Sequence, residues 1–321
     1  MTMKQIMIGL AEAVRQSVLP NLGTRAAKEI LGKGASGDFS YGIDQVAETA
    51  VKTFMEENAP DVAYFTEDVG LVAPAGAETL FVIDPIDGTR SAACGFESCC
   101  VSVAAAPYKS EGLCLSDVTH GLILEIKGDG SFWAEKGRGV EIVMDGQQVP
   151  VLLSENIDFE KLRWEMGFTG RPASYAVSVM STLIDGSTVQ GGYFTLNSVC
   201  YAGTRVLTGQ LDAVIDLGKR IYQSIPESRE VFRRAGKGTL MGQFPYDLAA
   251  LNLILKEGGA VMTDASGEPL DDMKLLDCNY RNLRSCVIAA SDELHRGLMV
   301  FINYKFREFG STIAEYMQLQ V

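Results

Sequence analysis

Two histidines in 321 residues, His120 and His295, stand far apart in the chain. That count argues against a zinc centre of several imidazoles, a Ser-His-Asp triad and a histidine phosphatase. No apolar run approaches the ~20 residues a bilayer requires, so no membrane-spanning helix is expected. The seven cysteines, Cys94, Cys99, Cys100, Cys114, Cys200, Cys278 and Cys286, are odd in number and never spaced Cys-x-x-Cys. They read as reduced core thiols. No Gly-x-x-x-x-Gly-Lys-Ser/Thr occurs, so there is no P-loop. Positive charge is also short: 28 Lys and Arg face 41 Asp and Glu, for a net −13. Such a chain is poorly suited to a nucleic-acid polymer, although a bound cation can reverse the field locally and admit a small anion. Met1-Thr-Met-Lys-Gln-Ile-Met reads as the start of an amphipathic helix and lacks the layout of a secretory leader. The expectation is a cytoplasmic protein with neither a membrane nor a nucleic acid as partner.

Hydrophobic content of 47% is enough for a large core in one big domain or two lobes. Residues 3–31 read as helical with a break near Pro20, with Ile6, Leu10, Ala13 and Val14 on one face. Residues 32–38 read as a flexible loop. A second helix is expected from Asp44 to Asn58, with Asp44 placed as its N-cap. Strands follow at 62–65, 101–106, 118–127, 131–135 and 140–152, with Asp145-Gly146 as a hairpin turn. The second half alternates: a strand at 164–168, a helix after Pro172, a helix at 197–208, a strand at 211–216, an irregular segment at 219–246, then a helix at 246–257. A strand at 260–263, another at 285–290 and a closing helix at 292–308 complete it. This divides the chain into residues 1–152, two helices over a mostly antiparallel sheet, and 153–321, an α/β lobe.

The chemistry concentrates in Phe81-Val-Ile-Asp84-Pro85-Ile86-Asp87-Gly88-Thr89. An apolar strand runs into two carboxylates, and Pro85 is expected to end it. Glu67 ends the preceding strand, and Asp247 stands at the first turn of a helix, where an acid needs no function. Four such acids meeting in space would repel one another unless a hard divalent cation lay between them. Two cations about 3.5–4 Å apart are a known device for displacement at phosphorus. Gly88 and Thr89 would then offer backbone N–H groups to phosphate oxygens. A covalent aspartyl-phosphate route would need an Asp at position 85, where this chain has proline.

Glu67-Asp68, Asp84-Pro-Ile-Asp-Gly-Thr89 and Tyr246-Asp247-Leu-Ala-Ala…Glu257-Gly-Gly together resemble the three-part signature of the inositol monophosphatase family. That family sits with the fructose-1,6-bisphosphatases among lithium-sensitive, Mg²⁺-dependent sugar phosphatases. The likeness covers about residues 5–310. Arg90-Ser-Ala-Ala-Cys-Gly-Phe after the motif looks more like the archaeal and bacterial dual-activity members than the animal enzymes.

The resemblance implies an α+β fold, a layered α-β-α-β-α sandwich, in a homodimer that hydrolyses a small phosphorylated sugar or polyol with two to three Mg²⁺ ions. Glu67, Asp84 and the carbonyl of Ile86 would bind the first ion. Asp84, Asp87 and Asp247 would bind the second, and a third would lean on Glu67. Thr89, paired with Asp44, would orient the attacking water. Asp87, Gly88 and Thr89 would meet the phosphate. Asp216 matches a family Glu that grips substrate hydroxyls, but is one methylene shorter. Ser198 falls in Thr195-Leu-Asn-Ser198, where the family often has an Arg followed by Gly-Ser. Residues 219–246 form a longer segment than the family usually has here, with six cations against Glu227 and Glu230. Arg233 and Arg234 from it are candidates for a second phosphate. A fructose-1,6-bisphosphatase, a nucleotide 3′-phosphatase and a catalytically silent metal- or phosphosugar-binding protein are the other readings left open.

Overall fold

In the computed structural model, backbone is described for residues 1–34 and 37–318, and side chains to residue 308. Thr2 and Gln5 form a capping box: Gln5 N donates to Thr2 Oγ1 at 3.3 Å, and Thr2 N donates to Gln5 Oε1 at 2.9 Å. The helix they open, α1 (Met3–Val18), stops before Pro20, which has no N–H to continue the α-helical ladder, although Leu19 itself keeps helical backbone. The helix expected to continue to residue 31 gives way to short 3₁₀ turns and a hairpin, β1 (Ile30–Lys33) and β2 (Phe39–Tyr41). Of the loop expected at 32–38, residues 35 and 36 lie outside the described residues. The buried face of α1 is Met7, Leu10, Ala11, Val14 and Val18. Ile6 and Ala13, expected inside, are only half-buried.

Next come α2 (Gly42–Asn58), β3 (Ala63–Thr66), β4 (Gly70–Val72), β5 (Thr79–Asp87), α3 (Thr89–Cys94) and β6 (Cys100–Pro107). Then follow β7 (His120–Glu125), β8 (Ser131–Glu135), β9 (Val140–Met144) and β10 (Gln147–Val149). Asp145 and Gly146 both have positive φ, 50° and 69°, as the two-residue turn between β9 and β10 requires. These strands form one sheet in the order β10-β9-β8-β7-β6-β5-β3-β4, antiparallel except where β3 runs beside β5.

The remainder is β11 (Arg163–Met166), α4 (Ala173–Ser187), β12 (Gly192–Phe194), α5 (Val199–Leu207), β13 (Ala213–Ile215), α6 (Gly218–Ser224) and α7 (Arg229–Ala235). The last elements are α8 (Pro245–Glu257), β14 (Val261–Asp264), β15 (Cys286–Ala289) and α9 (Asp292–Gln318). The segment expected to be irregular contains α6 and α7. The closing helix runs ten residues past its expected end at 308. A second sheet has the order β12-β11-β13-β15-β14.

Alternation of side chains explains the stacking. Phe81 and Ile83 of β5 join Val101 and Val103 of β6 in the core beneath α1 and α2. Leu80 and Val82 point the other way, with Cys100 and Ala104, into a core shared with α5 and α8. Helices α5 and α8 lie between the two sheets, and α4 and α9 cover the far side of the second. The result is a five-layer α-β-α-β-α sandwich. The first sheet ends by Val149 and the second begins at Arg163, yet a single apolar cluster runs across both. The Arg205 guanidinium of α5 makes a buried ion pair with Glu125 of β7 across the same boundary. Among the described residues no helix is long and apolar enough to cross a membrane.

Candidate active site

In a regular strand, residues three apart face opposite sides. Asp84 is in phase with Leu80 and Val82 and faces α8. Asp87 would face α1 and α2, but the register slips between them. Asp84 pairs with Ser102 and Asp87 with Cys100, so β5 carries one extra residue here. This bulge returns Asp87 to the face of Asp84. Pro85 lies within it, where a missing N–H does little harm to the ladder. The strand expected to end at Pro85 therefore runs through to Asp87.

Asp247 arrives from α8. It is the third helical residue, and its Oδ2 accepts from Phe244 N at 2.5 Å. Asp44 occupies the matching position in α2, with Oδ2 accepting from Tyr41 N at 2.8 Å. It is thus not the N-cap residue itself, which is Tyr41. Asp84, Asp87 and Asp247 bring carboxylate oxygens within 4.8 Å of one another. Glu67 lines the same cleft just past β3, and Tyr246 Oη donates to its Oε1 at 3.4 Å.

Burial pushes Asp84, Asp247 and Glu67 well above the ordinary carboxylate range, and their mutual repulsion adds to it. Asp87 is raised less freely, because the Ser198 hydroxyl and the Cys200 N–H both donate to its Oδ2 at 2.6 Å. Burial also lifts Asp44 to about 7, against hydrogen bonds from Tyr41 N and the Thr89 hydroxyl. Asp44 and Thr89 are thus neighbours, as expected, with Thr89 also among the groups that act on the Asp44 carboxyl. The Thr89 hydroxyl also lies 3.1 Å from the Ile86 carbonyl. Gly88 has φ 92°, and a Cβ there would come within 2.4 Å of the Ser98 carbonyl oxygen. Only glycine fits this turn. Asn197, immediately before Ser198, is held at φ 58°, uncommon for a residue with a side chain.

The opposite wall comes from the second sheet. Asp216 follows β13 and lines the cleft, with both oxygens engaged. It pairs with the Arg171 guanidinium, and also accepts from Gly218 N at 2.8 Å and Gln243 Nε2 at 3.0 Å. Glu165, at the end of β11, is buried beside them and raised to about 8, chiefly by desolvation. Arg171, Glu165, Gln243 and Asn197 line the cleft but were missed in the sequence. Arg171 precedes a proline at a strand-to-helix loop, which was the one local signal available. Over the cleft, Asp38 pairs with Arg90 at 3.0 Å. Lys33 Nζ reaches the Lys237 carbonyl at 3.1 Å. Arg233 and Arg234 are exposed on α7 and are not among the lining residues, and Arg233 pairs with Glu230. Of that long segment, Met241, Gly242 and Gln243 form the wall instead.

The donors are hard oxygens, buried and mutually repelling, which suits one or more hard divalent cations. A family model described as the inositol monophosphatase family matches residues 2–299. The fructose-1,6-bisphosphatase/inositol-1-monophosphatase of Methanothermobacter thermautotrophicus is 27% identical over 303 residues, covering 92% of this chain and 95% of its own. A bifunctional NADP phosphatase/NAD kinase of Methanococcus maripaludis is 22% identical, with 96% of this chain and 50% of that protein covered. Among solved structures, an IMPase of Thermotoga maritima superposes with a TM-score of 0.69 at 19% identity, over 96% of this chain and 99% of its own, a likeness of fold.

Proposed function

The chain belongs to the inositol monophosphatase family, and from that premise we propose that it hydrolyses a sugar or inositol phosphate monoester with Mg²⁺ and water, without a phosphoenzyme. It is a phosphoric monoester hydrolase and metal-dependent. The observation that carries the finer reading is the meeting of Asp84, Asp87 and Asp247 within 4.8 Å, beside Glu67, in one cleft.

Asp84, Asp87 and Asp247, with Glu67 and the Ile86 carbonyl, would hold two to three ions. Bound there, the ions would lower the pKa of water and offset charge on phosphate and leaving alkoxide. Thr89 and Asp44, neighbours at the cleft, would orient the water, with the Asp44 carboxylate as its proton acceptor. Gly88 lets the backbone approach the phosphate, and the Ser198 hydroxyl fixes the rotamer of Asp87. Asp216 would meet substrate hydroxyls from the cleft wall, where it also holds the Arg171 guanidinium. By family resemblance the enzyme is taken as a cytoplasmic homodimer.

A second reading, fructose-1,6-bisphosphatase activity, is favoured by one feature. Arg171 and Arg90 line an otherwise acidic cleft and can meet a second phosphate. Arg233 and Arg234 remain candidates only if a bisphosphate reaches beyond that wall. The test is phosphate release with Mg²⁺ from inositol phosphates, fructose 1,6-bisphosphate, NADP and a nucleotide 3′-phosphate, beside an Asp87→Asn control. Release above the control supports the proposal, and the ratio between substrates chooses the reading. No release from any of them would favour a silent binding protein.

A further inference from the structure

Asp87 belongs to two clusters. One is the carboxylate group with Asp84 and Asp247. The other is made with Cys100 of β6 and Cys200 of α5, whose sulfurs and an Asp87 oxygen all lie within 4.8 Å of one another. Cys100 Sγ is 4.0 Å from Asp87 Oδ2 and 3.9 Å from Ser198 Oγ. Ser198 Oγ is itself 2.6 Å from Asp87 Oδ2. Two sulfurs and one carboxylate oxygen thus face one another, and the Ser198 hydroxyl is bonded to that oxygen. A tetrahedral Zn²⁺ with Zn–S about 2.3 Å and Zn–O about 2.0–2.2 Å needs sulfur–oxygen separations of about 3.6 Å. The Cys100–Asp87 separation requires a closure of a few tenths of an ångström.

The bulge in β5 created this neighbourhood. By turning Asp87 onto the face of Cys100, it set a carboxylate against two thiols as well as against two acids. The adjacent Cys99 points away, into the core beneath α1 and α2. Cys100 and Cys200 are fully buried, and their neighbours Asp87 and Ser198 line the cleft, so the cleft is the side from which an ion would enter. Thiolate sulfur selects soft or borderline ions such as Zn²⁺ and Cd²⁺, and Mg²⁺ does not compete for it.

We propose that Cys100, Cys200 and Asp87, with water as the fourth ligand, form a site for a soft divalent cation that shares Asp87 with the hard-metal cluster and stops phosphate hydrolysis when filled. The ion forms two metal–sulfur bonds and the two thiol protons leave to solvent, with no change of oxidation state. Filling the site draws Asp87 from the cluster with Asp84 and Asp247. The inhibition, but not the binding, rests on the reading of Asp87 as a ligand of the catalytic metals.

Binding is measured without substrate: Zn²⁺ uptake against a chromophoric chelator in excess Mg²⁺, and thiolate-to-metal absorption on adding Cd²⁺. One tight equivalent per chain and a thiolate–Cd²⁺ band are expected. Cys100→Ser and Cys200→Ser should each weaken Zn²⁺ binding at least tenfold, while Cys99→Ser leaves it unchanged. No uptake in excess Mg²⁺, or equal affinity in all three variants, overturns the site. If the buried variants do not fold, anomalous diffraction at the zinc edge from wild-type crystals soaked in Zn²⁺ and Mg²⁺ decides. A peak between the sulfurs of Cys100 and Cys200 supports the site, and a peak confined to Asp84 and Asp247 overturns it. Zinc seated there while phosphate release continues overturns the inhibitory role. Absence of Mg²⁺-dependent release in zinc-free protein is instead a failure of the reading under Proposed function.

Discussion

The Ser198 hydroxyl donates to Asp87 Oδ2 at 2.6 Å while accepting from Tyr201 N at 3.1 Å. One side chain therefore caps α5, between the sheets, and fixes a carboxylate at the end of β5. Ser198→Ala removes both bonds. Loss of the cap should cost about 1 kcal/mol, and loss of a hydrogen bond to a charged group about 1.5–3 kcal/mol. We expect a lower thermal midpoint and a Mg²⁺ requirement raised by about tenfold to a hundredfold. Activity at saturating Mg²⁺ should recover more fully than stability does. A Mg²⁺ titration of phosphate release beside a melting curve checks both.

Asp84→Asn should move activity and metal-free stability in opposite directions. Asp84 is buried against Glu67, Asp87 and Asp247, each of which raises its pKa. Removing its charge relieves that repulsion, so the protein in chelator should melt at a higher temperature than wild type. Phosphate release should fall by at least about a hundredfold, and the rise in melting temperature on adding Mg²⁺ should shrink. A variant that melted lower in chelator and kept its response to Mg²⁺ would show that Asp84 is a structural acid.

Gly88→Ala and Gly70→Ala test the turn after the motif. Both glycines have positive φ, 92° and 78°. A Cβ at Gly70 meets nothing within 4 Å, whereas one at Gly88 sits 2.4 Å from Ser98 O and 3.0 Å from Ser198 Cβ. Gly70→Ala should cost only the left-handed backbone penalty, about 1–2 kcal/mol. Gly88→Ala must also shift backbone in the cleft, and should lose activity out of proportion to its stability. Melting temperatures and kcat/KM for the pair give the comparison.

The layers were legible in the sequence because apolar patterning reports them: an unbroken apolar run in β5, which is buried on both faces, and three-and-four spacing in α2. Helix α8, expected to be amphipathic, is instead buried on nearly every side because it lies between the two sheets. The four acids were legible because three segments carry them with fixed spacing. What could not be read was phase. Nothing local to Asp84-Pro-Ile-Asp87 says that the strand survives its proline, since the bulge is set by pairing with Ser102 and Cys100, which follow thirteen or more residues later. The pairing of Asp216 with Arg171 was hidden for the same reason, because 45 residues separate them and only the second sheet joins them. Charge alone drew attention to Arg233 and Arg234, yet α7 turns them to solvent while uncharged Gln243 reaches the cleft.

Arg171 and the pair Arg233 and Arg234 consequently make different predictions for a substrate with two phosphates. Arg171→Gln should raise KM for fructose 1,6-bisphosphate by about tenfold or more, as expected for loss of a buried charged hydrogen bond. The double change Arg233→Gln and Arg234→Gln should leave KM unchanged for a bisphosphate and a monophosphate alike, apart from a small salt-dependent term. A selective rise for the bisphosphate in the double variant would return the second phosphate to the long segment.

Glu165 supplies the pH dependence. Its carboxyl is raised from about 4.5 to about 8, with burial the largest cause. Between those values the folded protein keeps a proton that the unfolded chain has lost. Unfolding then releases a proton, and stability falls as pH rises through the window and levels off above it. Asp44 and Glu48, both raised to about 7, act in the same direction. In chelator, the urea midpoint should therefore drop between about pH 5 and about pH 8. Glu165→Gln holds a neutral amide at every pH, so it should flatten the upper part of that slope without removing the part due to Asp44 and Glu48. A slope unchanged by the substitution would mean that Glu165 is ionised in the fold at neutral pH, paired with Arg171 in competition with Asp216.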